Sequence, residues 1–297
     1  MSSFADLAEL VRAPAALSVP GDVIAGAGAS RSLGPATGGL ATAAVCLYWA
    51  GMAANDWADR VRDASERPDR PIPSGRVRPG TALGVAAGLT AAGLACAGAA
   101  GGRRSLAVAL PLAAAVWGYD LGGKETPAGP ALMATCRGLD VLLGASTQKG
   151  GPARALPTAV TVALHTYALT VLSRAEVTGA TPRLPAGTLA GTAAVAVAAV
   201  AIPRRAAAGE STSSRRWATG VAGLLAGAYL SQFGTAQARA VRDPGATRVR
   251  AAVSSGITSL PSLQGALAAR AGFPRAALLV AALAPLGRRL ARWISPT

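Results

Sequence analysis

Asn55, Asp59 and Asp63 stand four residues apart in the stretch NDWADRVRDASERPDRPIPSGRV, residues 55–77. On a helix, positions i, i+4 and i+8 share one face at intervals of about 6 Å along the axis. Oxygen donors spaced in this way suit a hard cation, and magnesium takes one or two carboxylates and completes its octahedron with water and phosphate oxygens. Asp56 lies on another face, where it can cap, pair with an arginine or support the metal face. In the RPDRPIPSGRV string that follows, Arg67 and Arg70 can grip a diphosphate through forked hydrogen bonds. Pro68, Pro71 and Pro73 stiffen the loop that aims them. The chain holds only 14 Asp plus Glu in 297 residues, yet Asp56, Asp59, Asp63, Glu66 and Asp69 all fall in this run. The plain alternative is a helix end whose charges are simply solvated.

The element that must carry this face is apolar. Residues 32–55 contain no charge, and runs near the twenty-residue length of a bilayer recur at 81–102, 105–119, 155–173, 184–203 and 217–238. A shorter run at 276–287 reaches residue 294 if its arginines snorkel. Residues 14–30, interrupted by Asp22, and 127–147, interrupted by Arg137 and Asp140, bring the set to about nine. Residues 251–269 are apolar around Pro261 and fit a half-spanning, re-entrant or interfacial segment. Runs of this length without period-2 alternation read as helices, with glycine and proline marking the breaks. The expected fold class is all-α, a polytopic membrane protein in one domain over residues 1–297.

Composition agrees. Hydrophobic residues make up 51% and charged residues 14%, against about 25% charged in soluble domains. The net charge of +15 comes from short arginine clusters flanking apolar runs, as beside anionic lipid. No nucleic-acid recognition motif accompanies it, so no nucleic-acid partner is expected. Cys46, Cys96 and Cys136 lie far apart in apolar runs without metal-type spacing and read as packing residues. No basic n-region followed by a short apolar core suggests a signal peptide. With nine helices and the N-terminus inside, Arg60 to Arg78, Lys124, Arg174 with Arg183, and Arg239 to Arg250 face the cytoplasm. Arg204, Arg205, Arg215 and Arg216 on the other side leave the positive-inside count nearly balanced.

NDWADRVRD followed by RPDRPIPSGRV resembles the first aspartate-rich motif of the UbiA-type intramembrane prenyltransferases. The resemblance implies nine transmembrane helices around a central cavity, and two acidic motifs facing each other across its mouth. It implies that these bind Mg2+ and the diphosphate of an isoprenoid diphosphate donor, whose departure leaves an allylic cation for a lipophilic acceptor. The segment WGYDLGGKETPAGPALMATCRGLDVLLGA, residues 117–145, resembles the part of the family that holds a Tyr and a diphosphate-binding Lys; Tyr119 and Lys124 match them. The second acidic motif is matched by YALTVLSRAEVTG, residues 167–179, where Glu176 takes the second carboxylate position and Leu172 the first. CRGLD and SRAEVTG resemble a branch of the family found with bacterial metabolite-traffic clusters, the EboC-like group.

Arg137 and Asp140 are ionisable groups inside an apolar span, where such residues mostly face a cavity or each other. At i, i+3 they can pair, as a structural link or as part of acceptor recognition. His165, the one histidine, reads as a packing residue. The expectation is a Mg2+-dependent prenyltransferase of the cell membrane, acting on an aromatic or other lipophilic acceptor. Its metal ligands would be Asn55, Asp59, Asp63 and Glu176, with Asp59, Asp63 and Lys124 catalytic. Arg67, Arg70, Tyr119, Lys124, Arg137 and Asp140 would bind substrate. The alternative is a UbiA-fold protein that carries metabolites or binds lipid diphosphates without turnover.

Overall fold

Pro-initiated apolar segments build this chain. Proline sits at the first or second position of several of its helices, where the missing N–H would be unpaired anyway and the fixed φ suits the helix. The computed structural model describes residues 3–147, 151–203 and 211–282. Its elements are α1 (Phe4–Leu10), a 3-10 turn (Ala13–Ser18) leading into α2 (Val19–Ala29), α3 (Pro35–Glu66), α4 (Pro79–Asp120), α5 (Gly129–Gly144), α6 (Pro152–Ser173), α7 (Arg183–Ala201), α8 (Thr212–Tyr229), a π-helical turn (Leu230–Gly234), α9 (Thr235–Arg242) and α10 (Ala246–Arg270). Residues 274–282 are also helical, and no strand occurs among the described residues. Arg204, Arg205 and the expected C-terminal run beyond residue 282 lie outside them.

Helices α3, α4, α6 and α7 are each long and apolar enough to cross a membrane. α4 is two helices joined at Gly102, whose φ of 66° and ψ of −154° suit a residue without a Cβ. Trp117 Nε1 donates to Thr90 Oγ1 at 3.1 Å. On a straight helix these residues would stand about 40 Å apart, so the two halves lie side by side as a hairpin, matching the expected break between residues 102 and 105. On α6, Leu156, Val160, Leu164 and Tyr167 are exposed while Ala155, Ala159, Val162 and His165 are buried. An apolar stripe left outside the bundle belongs against lipid.

The helices meet in two main apolar clusters. One joins α2, α3, α4 and α5 through Leu40, Leu47, Leu112 and Leu143. The other joins α6 to α10 through Leu172, Tyr229, Phe233 and Leu263. α10 carries the 251–269 segment expected as half-spanning, re-entrant or interfacial. It is a continuous helix of 25 residues whose second half, Ser259 to Ala269, is buried against α2, α6, α7 and α8. His165 links α6 to α8, with Nδ1 2.9 Å from the Tyr229 hydroxyl and its ring edge-on to Phe233, as its packing role requires.

A charged network crosses the middle of the bundle. Arg137 does not take Asp140 as its ion-pair partner at bonding distance; it reaches Asp22 Oδ2 on α2 at 2.8 Å. The partner lies 115 residues away, which spacing along one helix cannot reveal. Gln264 Nε2 donates to Asp22 Oδ1 and to Ser18 O, each at 2.7 Å. Asp140 remains buried within the electrostatic reach of Arg137 and Asp22.

Glycine lets α2 and α5 touch. A Cβ on Gly26 would stand 1.8 Å from Val141 O, and one on Gly144 would stand 2.0 Å from Val23 O. Gly144→Ala is therefore expected to lower the thermal midpoint of the detergent-solubilised protein, at a cost of roughly 1–3 kcal/mol. Gly38→Ala on α3, where a Cβ meets nothing within 4 Å, is expected to raise it, by up to about 1 kcal/mol.

Candidate active site at the ends of α3, α4 and α6

The last turns of α3 present the carboxylates, and the loop after α4 supplies the cation. Lys124 Nζ stands 2.6 Å from Asp59 Oδ2, with both side chains only 13% and 12% exposed. With its amide oxygen turned toward Lys124, Asn55 accepts from Nζ at 2.9 Å and donates to Asp59 Oδ2 at 3.2 Å. Arg62 closes the outer side, 2.8 Å from Asp59 and 2.5 Å from Glu125. Two oxygen donors thus converge on one cationic nitrogen, across 65 residues of sequence.

Asp63, one helical turn further on, belongs to a different group. Arg70 Nη1 lies 2.8 Å from Asp63 Oδ2 and 3.2 Å from Asp56 Oδ1. Arg12 takes Asp56 at 2.9 Å, so Asp56 pairs with two arginines. Arg67, 58% exposed, approaches Asp63 Oδ1 at 3.8 Å. Asp56 and Asp63 are nearly inaccessible, and buried carboxylates of this kind need such partners. Arg70, one of the two arginines expected on diphosphate, is engaged with the protein's own acids.

The Lys124 loop is held from α6 as well. Arg174 donates to the carbonyls of Lys124 and Thr126. A Cβ on Gly129 would meet Arg174 Nη2 and Lys124 O at 2.7 Å each, so the start of α5 closes on the loop because that residue is glycine. Tyr119 is half-buried here, within the electrostatic reach of Asp120, Arg174 and Asp59. Asp120 is buried at the end of α4, in the field of Lys124 and Arg12.

Glu176 lies just after the end of α6. Its backbone carbonyl accepts from Arg250 at 3.4 Å. Burial raises its carboxyl above the ordinary range while the Arg250 charge draws it back. Leu172 is fully buried in the α6–α10 cluster, so this position belongs to the apolar interior. Among the described residues no three His, Cys, Asp or Glu side chains gather as a metal cluster, and the expected set of Asn55, Asp59, Asp63 and Glu176 is not assembled. The arginines neutralise the acids instead. The donors of Asn55 and Asp59 do fit a hard cation, since both already converge on an ammonium, and Asp63 Oδ1 is buried without a hydrogen bond. Arg137 and Asp140 lie in the mid-bundle network rather than at this mouth.

Sequence reading passed over Arg12, Arg62 and Arg174. Arg12 adopts φ 47° between α1 and the 3-10 turn, and its partner is 44 residues away. Arg62 was visible as the i+3 neighbour of Asp59, a spacing that pairs on a helix.

The sequence pattern of the UbiA prenyltransferase family matches residues 15–178, more than half of the chain. A protein from Methanopyrus kandleri named digeranylgeranylglyceryl phosphate synthase is 37% identical over 157 residues, covering 52% of this chain and 56% of its own length. A Methanothrix thermoacetophila protein of the same name is 47% identical over 57 residues, covering 19% of this chain and 21% of its own. The chain thus spans little more than half of the first of these relatives and less of the second. In three dimensions it superposes on a solved structure described as giving insight into digeranylgeranylglyceryl phosphate synthase in membranes, with a TM-score of 0.63 at 14% identity, covering 91% of this chain and 98% of that one. The apo structure of a UbiA homolog from Aeropyrum pernix aligns with a TM-score of 0.61 at 19% identity over 85% of this chain and 96% of that one. With the helical fold and the acidic α3 end in place, the chain belongs to the UbiA prenyltransferase family.

Proposed function

We propose that this protein transfers an isoprenyl group from its diphosphate to a lipophilic acceptor within the membrane. The observation that carries this reading is the convergence of Asn55, Asp59 and Lys124 at the end of an apolar helix. In the reaction the allylic C–O bond breaks and diphosphate leaves. The acceptor's nucleophilic atom bonds to the carbon and gives up its proton. Lys124 donates to diphosphate oxygens once Asp59 releases it, and the exposed Arg67 adds a second donor. Arg70 keeps Asp56 and Asp63 paired, and Tyr119 borders the reacting end. The apolar helices keep water from the allylic carbon. Asn55 and Asp59, joined by Asp63 if Arg70 yields, would hold a magnesium ion, which when bound neutralises charge on the leaving diphosphate. The names of the relatives extend the acceptor panel from aromatic compounds to a prenylated glyceryl phosphate.

A second reading is favoured by one feature. Leu172 is a core residue where the resemblance places the first carboxylate of the second motif, which suits a protein that binds a lipid diphosphate without turning it over. Membranes incubated with Mg2+, labelled geranyl, farnesyl and longer diphosphates and a cell extract distinguish the two. Transfer is expected to give a labelled lipophilic product and pyrophosphate, whereas binding without pyrophosphate release favours the second reading. Asp59→Ala is expected to abolish turnover, and full activity in that variant overturns the assignment.

Arg70 and Arg67 are expected to separate. Arg70→Ala leaves two buried carboxylates short of a partner. Because Arg12 and Arg67 remain and Arg70 is itself 23% exposed, the loss is roughly 1–3 kcal/mol, read as a lower thermal midpoint. Arg67→Ala is expected to keep the midpoint and raise the donor KM about tenfold.

A further inference from the structure

The end of the bundle opposite the acidic motif has a different charge. It gathers the end of α2, the Gly102 turn, the start of α6 and the ends of α7 and α10. The Ser105 and Ser146 hydroxyls, 2.7 Å apart, tie the Gly102 turn to the end of α5 here. Arg31, Arg103, Arg104, Arg154 and Arg270 lie at this end. Among the described residues every Asp and Glu is either at the motif end or, as Asp22 and Asp140, buried within the bundle.

A cavity of about 270 Å³ opens there between α2, α6, α7 and α10. Arg31, Arg154 and Arg270 line it, over apolar walls that include Pro157, Ile202 and Leu267. Arg270 is oriented by its Nε–H, which donates to Ile202 O at 2.9 Å. Arg31 occupies the residue after the α2 C-cap with φ 57°, and Ser32 N closes the turn on Ala27 O at 2.8 Å. Helix ends of this kind are ordinarily finished by glycine, so an arginine stands here against the local backbone preference.

We propose that this cavity is a binding site for a phosphate-bearing anion on the membrane face opposite the acidic motif. Guanidinium forks match phosphate oxygens, and the apolar walls suit the carbons of a phosphate ester. An anionic phospholipid headgroup and a soluble phosphate ester share this chemistry, and basic pockets between membrane helices take headgroups. The site is separate from the Asp59–Lys124 mouth and does not depend on prenyl transfer.

The test uses the full purified chain in detergent, titrated with phosphatidylglycerol, phosphatidylcholine, glycerol 3-phosphate and inorganic phosphate. Thermal shift and native mass spectrometry of retained lipid give the readout. The double variant Arg31→Gly, Arg154→Ala relieves the backbone at one position and changes an exposed side chain at the other, so folding is retained. Arg154→Lys keeps the charge. Phosphatidylglycerol is expected to bind the wild type at least about tenfold more tightly than the double variant, with Arg154→Lys in between and phosphatidylcholine weaker throughout. If glycerol 3-phosphate or inorganic phosphate shows the same dependence on the arginines, the source is soluble; if only phosphatidylglycerol does, it is the headgroup. Equal binding of all four by wild type and double variant overturns the proposal.

Discussion

The ion pair between Asp59 and Lys124 is the contact on which the motif end depends. It fastens the loop after α4 to the last turns of α3, and Arg174 fastens the same loop to α6. The ends of three helices are thereby fixed relative to one another, with Asp59 and Lys124 mostly out of water and Arg174 exposed. At that depth an unmatched charge is costly, and Asp56, Asp59 and Asp63 of α3 are each paired with a cation, Arg70 serving two of them. On the proposed function, a diphosphate entering the mouth would compete with Asp59 for Lys124, because the acids there are already matched.

The rest of the bundle is arranged so that this mouth can exist at the end of a thin-walled apolar scaffold. Small residues let helices approach to backbone contact, as α2 and α5 do at Gly26 and Gly144. Van der Waals packing at close range has to hold helices that gain little from avoiding lipid. In mid-bundle Asp22 receives both Arg137 and Gln264. That junction joins α2, α5 and α10, the first, middle and last parts of the chain.

Much of this was legible in the residues, and the limits are physical. The face of Asn55 and Asp59 was readable because its members share one helix, where spacing fixes direction. The Gly102 turn was readable because glycine and arginine interrupt two apolar runs. The pairing of Asp56 with an arginine was open to the same reading, but its identity was not: Arg12 is 44 residues away and Arg70 reaches back over a loop. Arg137 misled for the same reason, since Asp140 is near in sequence and Asp22 is the contact. Asp63 shares a helical stripe with Asp59 but is claimed by Arg70, a choice made by the loop's path. α10 was obscured by Pro261 and its serines, which lower the apolar signal of a helix that is buried by its neighbours.

The π-helical turn at Leu230–Gly234 acts as a phase correction. Tyr229, Phe233 and Gln237 are each fully buried, although eight residues of regular α-helix overshoot two full turns by about 80°. A wider turn absorbs that excess and brings the seam back into line before α9 begins. The chain after residue 234 is thus out of step with the helix before it by design of length rather than of composition. Deleting one residue of the turn would let it close into regular helix, because seven residues span two turns to within about 20°, and Gln237 and Ala240 would stay on the seam they share with Phe233.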